Sequence, residues 1–217
     1  MLDYTSNYLN SQYMIIIWIL AFVVAITIHE ASHAWMADRL GDPTARLMGR
    51  LSLNPLVHYD PIGTTLLLGL SIMRALGAPV IPFGWAKPVE FDPYNLKNPR
   101  RDSALISFAG PASNLLVALF VSILARLNPA LSIFVVPFII LNVSLAIFNL
   151  VPVHPLDGGK ILVGLLPKKY AYGVENFLSK FGTILLFILI LPSFGGSSLI
   201  SQFISPVINL FLVLLIP

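Results

Sequence analysis

Long stretches with almost no charge are the feature that most restricts how this chain can fold. Four runs, 14–28, 104–124, 131–153 and 183–191, contain almost no charged residue. A helix needs about 20 apolar residues to cross a bilayer, and some of these runs reach that length. Only 11% of the 217 residues are charged, against about 25% in a typical soluble domain. The sequence therefore predicts an all-α polytopic membrane protein.

Composition also limits the chemistry that the protein can perform. Cysteine is absent, which rules out disulfides and thiolate chemistry and leaves His, Asp and Glu as candidate metal ligands. The formal net charge of +3 is small and no dense run of Lys or Arg is present, so we expect no binding of nucleic acid. Since no Lys or Arg precedes Arg39, we expect the first apolar segment to be retained rather than cleaved as a signal peptide.

The basic residues predict the orientation of the segments. The first helix is predicted over 13–40, and the Lys and Arg residues between 39 and 101 follow it. The positive-inside rule places this region in the cytoplasm and the N-terminus outside. Further crossings are predicted, giving five to six in all: 103–127, 130–151, 180–191 and 199–216. We interpret 1–217 as a single intramembrane domain, with a core over about 13–167 and C-terminal helices over about 175–217.

A less regular region separates the first two crossings. Residues 62–81 are apolar but contain Arg74 and Gly77, and a full crossing there would place the basic residues that follow it outside. We therefore expect a re-entrant or partly inserted segment, or a tight hairpin. Residues 80–91 are β-prone and broken by Pro and Gly, which predicts short strands or a loop at the membrane surface.

The strongest chemical signal is the motif His29-Glu30-Ala31-Ser32-His33 inside the first apolar helix. Histidines four residues apart lie on one helix face, so both imidazoles can bind one metal ion. Glu30 lies about 100° round the helix, close enough to take a proton from a water molecule at that metal. An ionisable group within a membrane helix costs roughly 2.5–3.5 kcal/mol on insertion scales, which favours a functional role. The alternative is that these polar residues line a packed helix interface.

Asp157 is the candidate for the third protein ligand that a catalytic zinc site requires. It follows a span that runs inward, as the helix bearing His29 does, so both residues reach a similar depth on the same side. The alternative is that Asp157 caps a short helix beginning near Gly158, because Asp is a favoured N-cap residue. Capping and ligation could coexist.

Four motifs in a fixed order give the sequence a specific resemblance. They are His29-Glu30-x-x-His33, Phe83-Gly84-Trp85-Ala86-Lys87-Pro88-Val89, Ala109-Gly110-Pro111-x-x-Asn114 and Asn149-x-x-Pro152-x-x-Pro155-Leu156-Asp157-Gly158. This pattern, over about 26–160, resembles the site-2 protease family of intramembrane zinc metalloproteases (peptidase family M50). The second and third motifs resemble its short prokaryotic branch, which lacks PDZ and CBS domains.

The resemblance implies a role for each matching residue. His29, His33 and Asp157 would bind one Zn²⁺ per chain, and Glu30 would be the general base. Asn149 would stabilise the tetrahedral intermediate, as an amide donor aimed at a developing oxyanion can. The residues alone leave open an equal alternative for Asn149, a hydrogen bond to a neighbouring helix.

The resemblance also implies an activity and a location. The chain would hydrolyse peptide bonds in or near transmembrane segments, in regulated intramembrane proteolysis or in clearing signal-peptide remnants. Its partners would be the transmembrane segments of substrate proteins and the lipid bilayer. It would be a multi-pass protein of the plasma or inner membrane, with its active site near the cytoplasmic side.

Several residues near these motifs have open roles. His154 stands where the family usually has Pro, and it could be a fourth ligand, a hydrogen-bond partner of a ligand, a substrate contact or a plain loop residue. Trp85 and Lys87 could hold the substrate or anchor a loop at the headgroups. For His58 we favour a structural or gating role over metal binding, and we expect Gly110 to serve close helix packing.

Two functions other than proteolysis are compatible with part of the pattern. A metal-ion transporter also has His and Glu inside the membrane, but here the ionisable residues gather at one level and no internal repeat is visible. An inactive binding scaffold would have no need of Glu30.

Overall fold

Helices make up almost all of the regular structure of this protein. The computed structural model describes residues 12–75, 84–191 and 198–217. Its helices are α1 Gln12–Leu40, α2 Thr44–Leu47, α3 Gly63–Ala75, α4 Pro99–Leu127, α5 Ser132–Asn149, α6 Asp157–Leu165, α7 Lys168–Ile190 and α8 Leu199–Leu215. Short 3-10 turns occur at Pro55–His58, Pro93–Asn95 and Pro129–Leu131. These ranges contain no β-strand, and the all-α prediction is confirmed.

Some of the described helices have the length and composition needed to cross a membrane. Within the described residues, four are long and apolar enough: Ile15–Leu40, Pro99–Leu127, Pro129–Asn149 and Lys168–Ile190. The 17 residues of α8 extend about 25 Å, less than the roughly 30 Å of a hydrocarbon core. The expected count of five to six is therefore not supported, because a hydropathy pattern does not distinguish a full crossing from a shorter apolar helix.

The re-entrant segment and the strands expected between α1 and α4 are not supported. Within 62–81, residues 63–75 form α3, whose 13 residues extend about 20 Å, and 76–81 are not described. Residues 76–83, which include part of the expected strands, lie outside the described residues. The described remainder, 84–91, forms no strand. Its amides bond elsewhere, since Val89 donates to the Glu30 carboxylate and Lys87 to the His58 carbonyl.

Helices α1, α4 and α5 pack together around the chemically important residues. The buried face of α1 is formed largely by alanines, namely Ala21, Ala25, Ala34 and Ala37. Small side chains let membrane helices approach closely, so polar groups on neighbouring helices come within hydrogen-bonding distance. Helix α8 packs against a buried cluster on α4 and α5 through Ile208, Phe211 and Leu212.

Asp42, just after α1, fastens the following loops to the end of that helix. It is fully buried, and its carboxylate accepts hydrogen bonds from the Asp92 N–H and the Asn95 side chain, both at 2.8 Å. Thr44 donates to the same carboxylate. The chain from 84 to 95 is therefore held against α1, which brings it beside the His29-Glu30-x-x-His33 motif.

The helix that contains the predicted crossing 180–191 begins earlier in the chain than that crossing. The helix α7 begins at Lys168, directly after Pro167. Proline is compatible with a helix start but interrupts a helix interior, so Pro167 separates α6 from α7. The first turns of α7 carry Lys168 and Lys169, and only the later turns are uniformly apolar. The apolar pattern therefore identified only the second half of this helix.

Candidate metal centre

His29, His33 and Asp157 converge between α1 and the beginning of α6. The Oδ2 atom of Asp157 lies 3.1 Å from His29 Nε2 and 3.3 Å from His33 Nε2. One potential ligand atom from each residue lies within 4.8 Å of the other two. Both histidines are buried, at 4% and 7% exposure. The structure thus brings together the three residues that were expected to bind zinc.

Local geometry explains why these side chains meet. The four-residue spacing places the two imidazoles on one face of α1, with ring centroids 4.6 Å apart. Leu156 is the N-cap residue of α6 and Asp157 is the first residue of the helix, so Asp157 does not occupy the N-cap position that the capping alternative requires. A Cβ on Gly158 would clash with the carbonyl oxygens of Leu150 and Val151. Glycine at 158 therefore lets the loop turn tightly enough to present Asp157 to the histidines.

A buried asparagine network fixes the orientation of His29. The amide nitrogen of Asn114 donates to the Ala25 carbonyl at 2.9 Å and to Asn142 Oδ1 at 2.8 Å. The Asn142 nitrogen in turn donates to the Phe138 carbonyl. Both N–H groups of Asn114 are thus used, and its Oδ1 accepts from His29 Nδ1 at 2.6 Å. This assignment leaves the proton of His29 on Nδ1 and the lone pair on Nε2.

A backbone carbonyl fixes the orientation of the His33 imidazole. The Nδ1 atom of His33 lies 2.7 Å from the carbonyl oxygen of Ile106 in α4. A carbonyl oxygen can only accept, so the hydrogen must be on Nδ1. The Nε2 lone pair of His33 therefore also points at Asp157. Such outer hydrogen bonds are the usual means of setting the tautomer and ring orientation of a metal-binding histidine.

The three converging atoms fit a metal cation. Two nitrogen lone pairs and a carboxylate oxygen repel one another unless a proton or a metal ion lies among them. Without a metal, a proton on His33 Nε2 takes that position: burial alone would raise the pKa of Asp157, but the charge of this protonated His33 and hydrogen bonds with both histidines outweigh burial and hold the pKa well below its usual range. Asp157 is therefore anionic at neutral pH. Two imidazoles and one carboxylate form a donor set that suits Zn²⁺ with one position open.

Gly110 leaves the space in front of the imidazoles empty of protein. A Cβ added at this position would lie 2.5 Å from His33 Nε2 and 2.7 Å from His29 Cε1. Any larger residue would occupy the side of the rings on which their lone pairs lie. The absence of a side chain at Gly110 thus serves the metal centre as well as the expected close packing of α1 and α4.

Glu30 lies beside the two histidines and contacts the 84–91 segment. Its Oε2 accepts a hydrogen bond from the Val89 N–H at 3.1 Å. Among the described residues, Oε1 has no hydrogen-bond partner. One carboxylate oxygen is thus held in place and the other is available to exchange a proton.

Asn149 and His154 lie near the centre but outside the converging group. The side-chain amide of Asn149 donates to the Leu145 carbonyl of its own helix at 3.0 Å. His154 lies in the loop before α6, and Gly182 of α7 packs against it. Burial, and next the charge of Lys160, lower the pKa of His154, so this imidazole is neutral at neutral pH.

Three other singled-out residues belong to the framework around the centre. His58 is buried, with Nε2 2.9 Å from the Ser52 carbonyl, and its own carbonyl accepts from the Lys87 N–H. Trp85 is 45% exposed, its carbonyl accepts from the Thr64 hydroxyl, and its ring lies against Gly63. The Lys87 side chain is exposed.

The sequence analysis did not identify three groups that contact the site, namely Asn142, the Ile106 carbonyl and the Val89 amide. It noted Asn114 only as part of a motif. A signal was present for the two asparagines, because a polar side chain within an apolar span needs a partner. No sequence pattern marks a single backbone carbonyl or amide. Their importance follows only from which helices pack together.

A buried His, His and Asp group with a carboxylate beside it, set in long apolar helices, defines a membrane-embedded metal-dependent hydrolase. The family profile described as "Peptidase family M50" matches residues 17–130 and 124–189. The chain therefore belongs to peptidase family M50. It is a zinc metalloprotease of the membrane.

Relatives with curated names agree with this assignment. YwhC of Bacillus subtilis, a candidate zinc metalloprotease by name, is 36% identical over 185 residues, which cover 76% of this chain and 80% of YwhC. Rip2 of Mycolicibacterium smegmatis, named in the same way, is 34% identical over 66% of this chain and 54% of its own length. Zinc metalloprotease MJ0392 of Methanocaldococcus jannaschii is 26% identical over 75% of this chain and 38% of its own length.

Coverage differs among these relatives. The chain spans most of YwhC but only about half of Rip2, and less of MJ0392. No solved structure is a significant match to this chain.

The asparagine network predicts a measurable effect on zinc binding. Replacing Asn114 with Leu keeps a similar volume but leaves His29 Nδ1 without its acceptor, and we expect zinc affinity to fall by about 10- to 100-fold. Competition with a chromophoric chelator would measure this in detergent-solubilised protein. Ser122→Ala is the control, because Ser122 is buried on the same helix but donates to Leu215. Wild-type affinity in Asn114→Leu would contradict the proposed orienting role.

Proposed function

We propose that this protein is an intramembrane zinc endopeptidase that cleaves peptide bonds in or near transmembrane segments of other proteins. The observation that carries the proposal is the buried His29, His33 and Asp157 group, with Glu30 beside it, on a helix long enough to cross a bilayer. A protease that acts on soluble chains has no need to enclose its metal centre among such helices.

In this proposal the three converging side chains are the protein ligands of one Zn²⁺. The ion, when bound, polarises the scissile carbonyl and lowers the pKa of a water molecule towards about 7. The ligand role of His29 and His33 is supported by the hydrogen bonds that turn both Nε2 atoms inward. The role of Asp157 is supported by its distances to both of them.

Glu30 acts as general base in the proposed reaction. It accepts a proton from the attacking water and delivers it to the leaving amine, so that each turnover returns Glu30 to the carboxylate form. The Val89 amide supports this role, because a bond to Oε2 fixes the carboxylate while Oε1 exchanges the proton. The adjacency of Glu30 to His29 keeps the base within reach of the reacting atoms.

Asn149 donates a hydrogen bond to the carbonyl oxygen of the substrate as negative charge develops there. Its amide is engaged by the Leu145 carbonyl in the free protein, so the side chain has to exchange that acceptor for the substrate. A donor that binds only the developing oxyanion stabilises the transition state more than the ground state. Such selective stabilisation speeds the reaction.

The segment around 80–91 binds the substrate after its helix has locally unwound. A peptide bond within a helix is shielded by neighbouring side chains and hydrogen bonds, so a backbone partner is needed once it is exposed. The location of 84–91 supports this role, since the Val89 N–H bonds to Glu30 and so places the segment beside the metal centre. The Val89 and Lys87 amides are already used, so a substrate would pair with other backbone groups of the segment. A substrate strand pairing here would lie beside the metal centre.

The location of the protein is part of the proposal. We place it as a single multi-pass domain in the plasma or inner membrane, with the N-terminus outside and the metal centre near the cytoplasmic side. The basic residues after α1 support this orientation. Membership of peptidase family M50 favours proteolysis over metal transport. Membrane-tethered regulators and signal-peptide remnants are the two substrate classes that we consider.

Replacing Glu30 with Gln tests the chemistry directly. The amide keeps the size of the side chain but cannot accept the proton, so we expect cleavage of a transmembrane substrate to fall by about 10²–10⁴-fold. Zinc content should stay at one ion per chain, whereas His33→Ala should lose the ion. Both quantities are measurable on the same purified samples, by mass spectrometry of the metal and by gel-based cleavage. Unchanged cleavage by Glu30→Gln would refute the proposal, and zinc flux into liposomes would favour a transporter.

The contact between Val89 and Glu30 predicts a backbone-specific effect. Val89→Pro removes one N–H, whereas the control Val89→Ala removes side-chain atoms and keeps the N–H. We expect Val89→Pro to lower kcat by about tenfold, the loss typical of a hydrogen bond to a charged group. Zinc content should not change in either variant. Equal kcat values for the two variants would show that this amide does not position Glu30.

A further inference from the structure

A cavity of about 460 Å³ lies next to the metal centre, against a different face of α6. Asp157 faces the histidines from the first turn of α6, whereas Gly159, Lys160 and Val163 line the cavity. The opposite walls are the beginnings of α4 and α7. His154, in the loop that leads to Asp157, also contributes to the lining. The metal centre and the cavity are therefore neighbours that share one short helix.

The charged residues that line this cavity are mostly basic. Arg100, Lys160 and Lys168 line it, against a single carboxylate, that of Glu175. Arg100 donates to the Leu166 carbonyl, and the Lys160 ammonium lies 4.4 Å from the centre of the Phe91 ring. Asp157 and Glu30 lie close enough to favour the charged form of Lys160. In the described part of the chain, however, no carboxylate is within ion-pair distance of Lys160 or Lys168. Cations that converge on one cavity without carboxylate partners can bind an anionic group.

The 84–91 segment connects the cavity to the reacting atoms. Val89 contacts the catalytic carboxylate, Phe91 contacts Lys160, and Pro93 belongs to the cavity lining. Four residues of chain therefore lead from Glu30 to the cavity mouth. A peptide that follows this segment past the metal centre reaches the basic cavity within a few residues of the scissile bond.

We propose that the cavity bounded by α4, α6 and α7 is a substrate subsite that binds an acidic side chain close to the scissile bond. The inference rests on the proposed function and adds a charge preference to it. Asp or Glu in the substrate would pair with Lys160 and Lys168, while His154 and Tyr172 line the remaining wall. A phospholipid headgroup shares the negative charge, but the position of the cavity at the end of the 84–91 segment favours a peptide.

The chain offers a matched pair of lysines for the test. Lys168 lines the cavity, whereas its neighbour Lys169 does not and lies instead over the Tyr170 ring. Lys168→Glu and Lys169→Glu change the net charge equally, at adjacent exposed positions of the first turn of α7. A general effect of surface charge on substrate or lipid would be similar in the two variants. An effect of the cavity would appear only in Lys168→Glu.

The experiment measures cleavage by the full zinc-loaded chain in neutral phosphatidylcholine vesicles. The probes are three versions of one cleavable transmembrane peptide, with Glu, Gln or Lys at the residues that flank the scissile bond. We expect kcat/KM to decrease from Glu to Gln to Lys, by about two- to fivefold at each step. Lys168→Glu should reverse this order, and Lys169→Glu should preserve it.

Other outcomes would overturn the subsite. Equal cleavage of the three peptides by the wild type, or equal responses of the two variants, would show that the cavity does not select the substrate. A preference for Glu that vanishes when phosphatidylglycerol is added, equally for Lys168→Glu and the wild type, would assign the anion-binding property to lipid. Failure to cleave any peptide would contradict the proposed protease function itself, which distinguishes it from failure of the subsite alone.

A binding measurement provides a readout independent of turnover. Zinc-loaded Glu30→Gln should bind a fluorescent Glu peptide more tightly than the matching Gln peptide, by a similar two- to fivefold ratio. Adding Lys168→Glu to that variant should remove the difference. Equal affinities for the two peptides in Glu30→Gln would contradict the subsite.

Discussion

The convergence of three lone-pair-bearing atoms in an apolar interior is the constraint on which the rest of the structure depends. Both imidazoles donate a hydrogen bond from Nδ1–H to an acceptor on α4. The acceptors are the Asn114 side chain and the Ile106 carbonyl. The Nε2 atoms of the imidazoles therefore point at Asp157, an arrangement that is unfavourable unless a cation is present. The packing of these helices thus depends on a positive charge at this point, which a shared proton or a bound metal ion supplies.

Helix α4 supplies most of what the centre needs from its surroundings. It provides an acceptor for each histidine, and Gly110 keeps its backbone close to α1 without filling the space before the rings. The alanines of α1 permit the same close approach from the other side. Asp42 adds the remaining element, because it fastens 92–95 to the end of α1. As a result, the Val89 amide reaches Glu30 and the chain continues to the basic cavity.

The sequence predicted the parts of this arrangement that depend on local spacing. The pairing of His29 with His33 follows from helix geometry, and Asp157 from converging topology and the family pattern. Asn114 and Ile106 could not be assigned as the hydrogen-bond partners of the two histidines. That assignment requires knowing which helix packs against α1, and local sequence does not determine helix packing. The strand prediction for 80–91 is not supported over 84–91, where amides that a neighbouring strand would use are bonded to Glu30 and His58. The count of five to six crossings is not supported either, since four of the described helices are long and apolar enough to cross a membrane.

X-ray absorption at the zinc edge of the purified full chain tests the central claim most directly. The account predicts one zinc with two imidazole nitrogens at about 2.0–2.1 Å and the remaining ligands oxygen at about 2.0–2.2 Å. Asp157→Ala should change the oxygen shell and keep both imidazoles. A third imidazole would mean that His154 or His58 binds the metal. A spectrum without two imidazoles, or a chain that binds no zinc, would contradict the account.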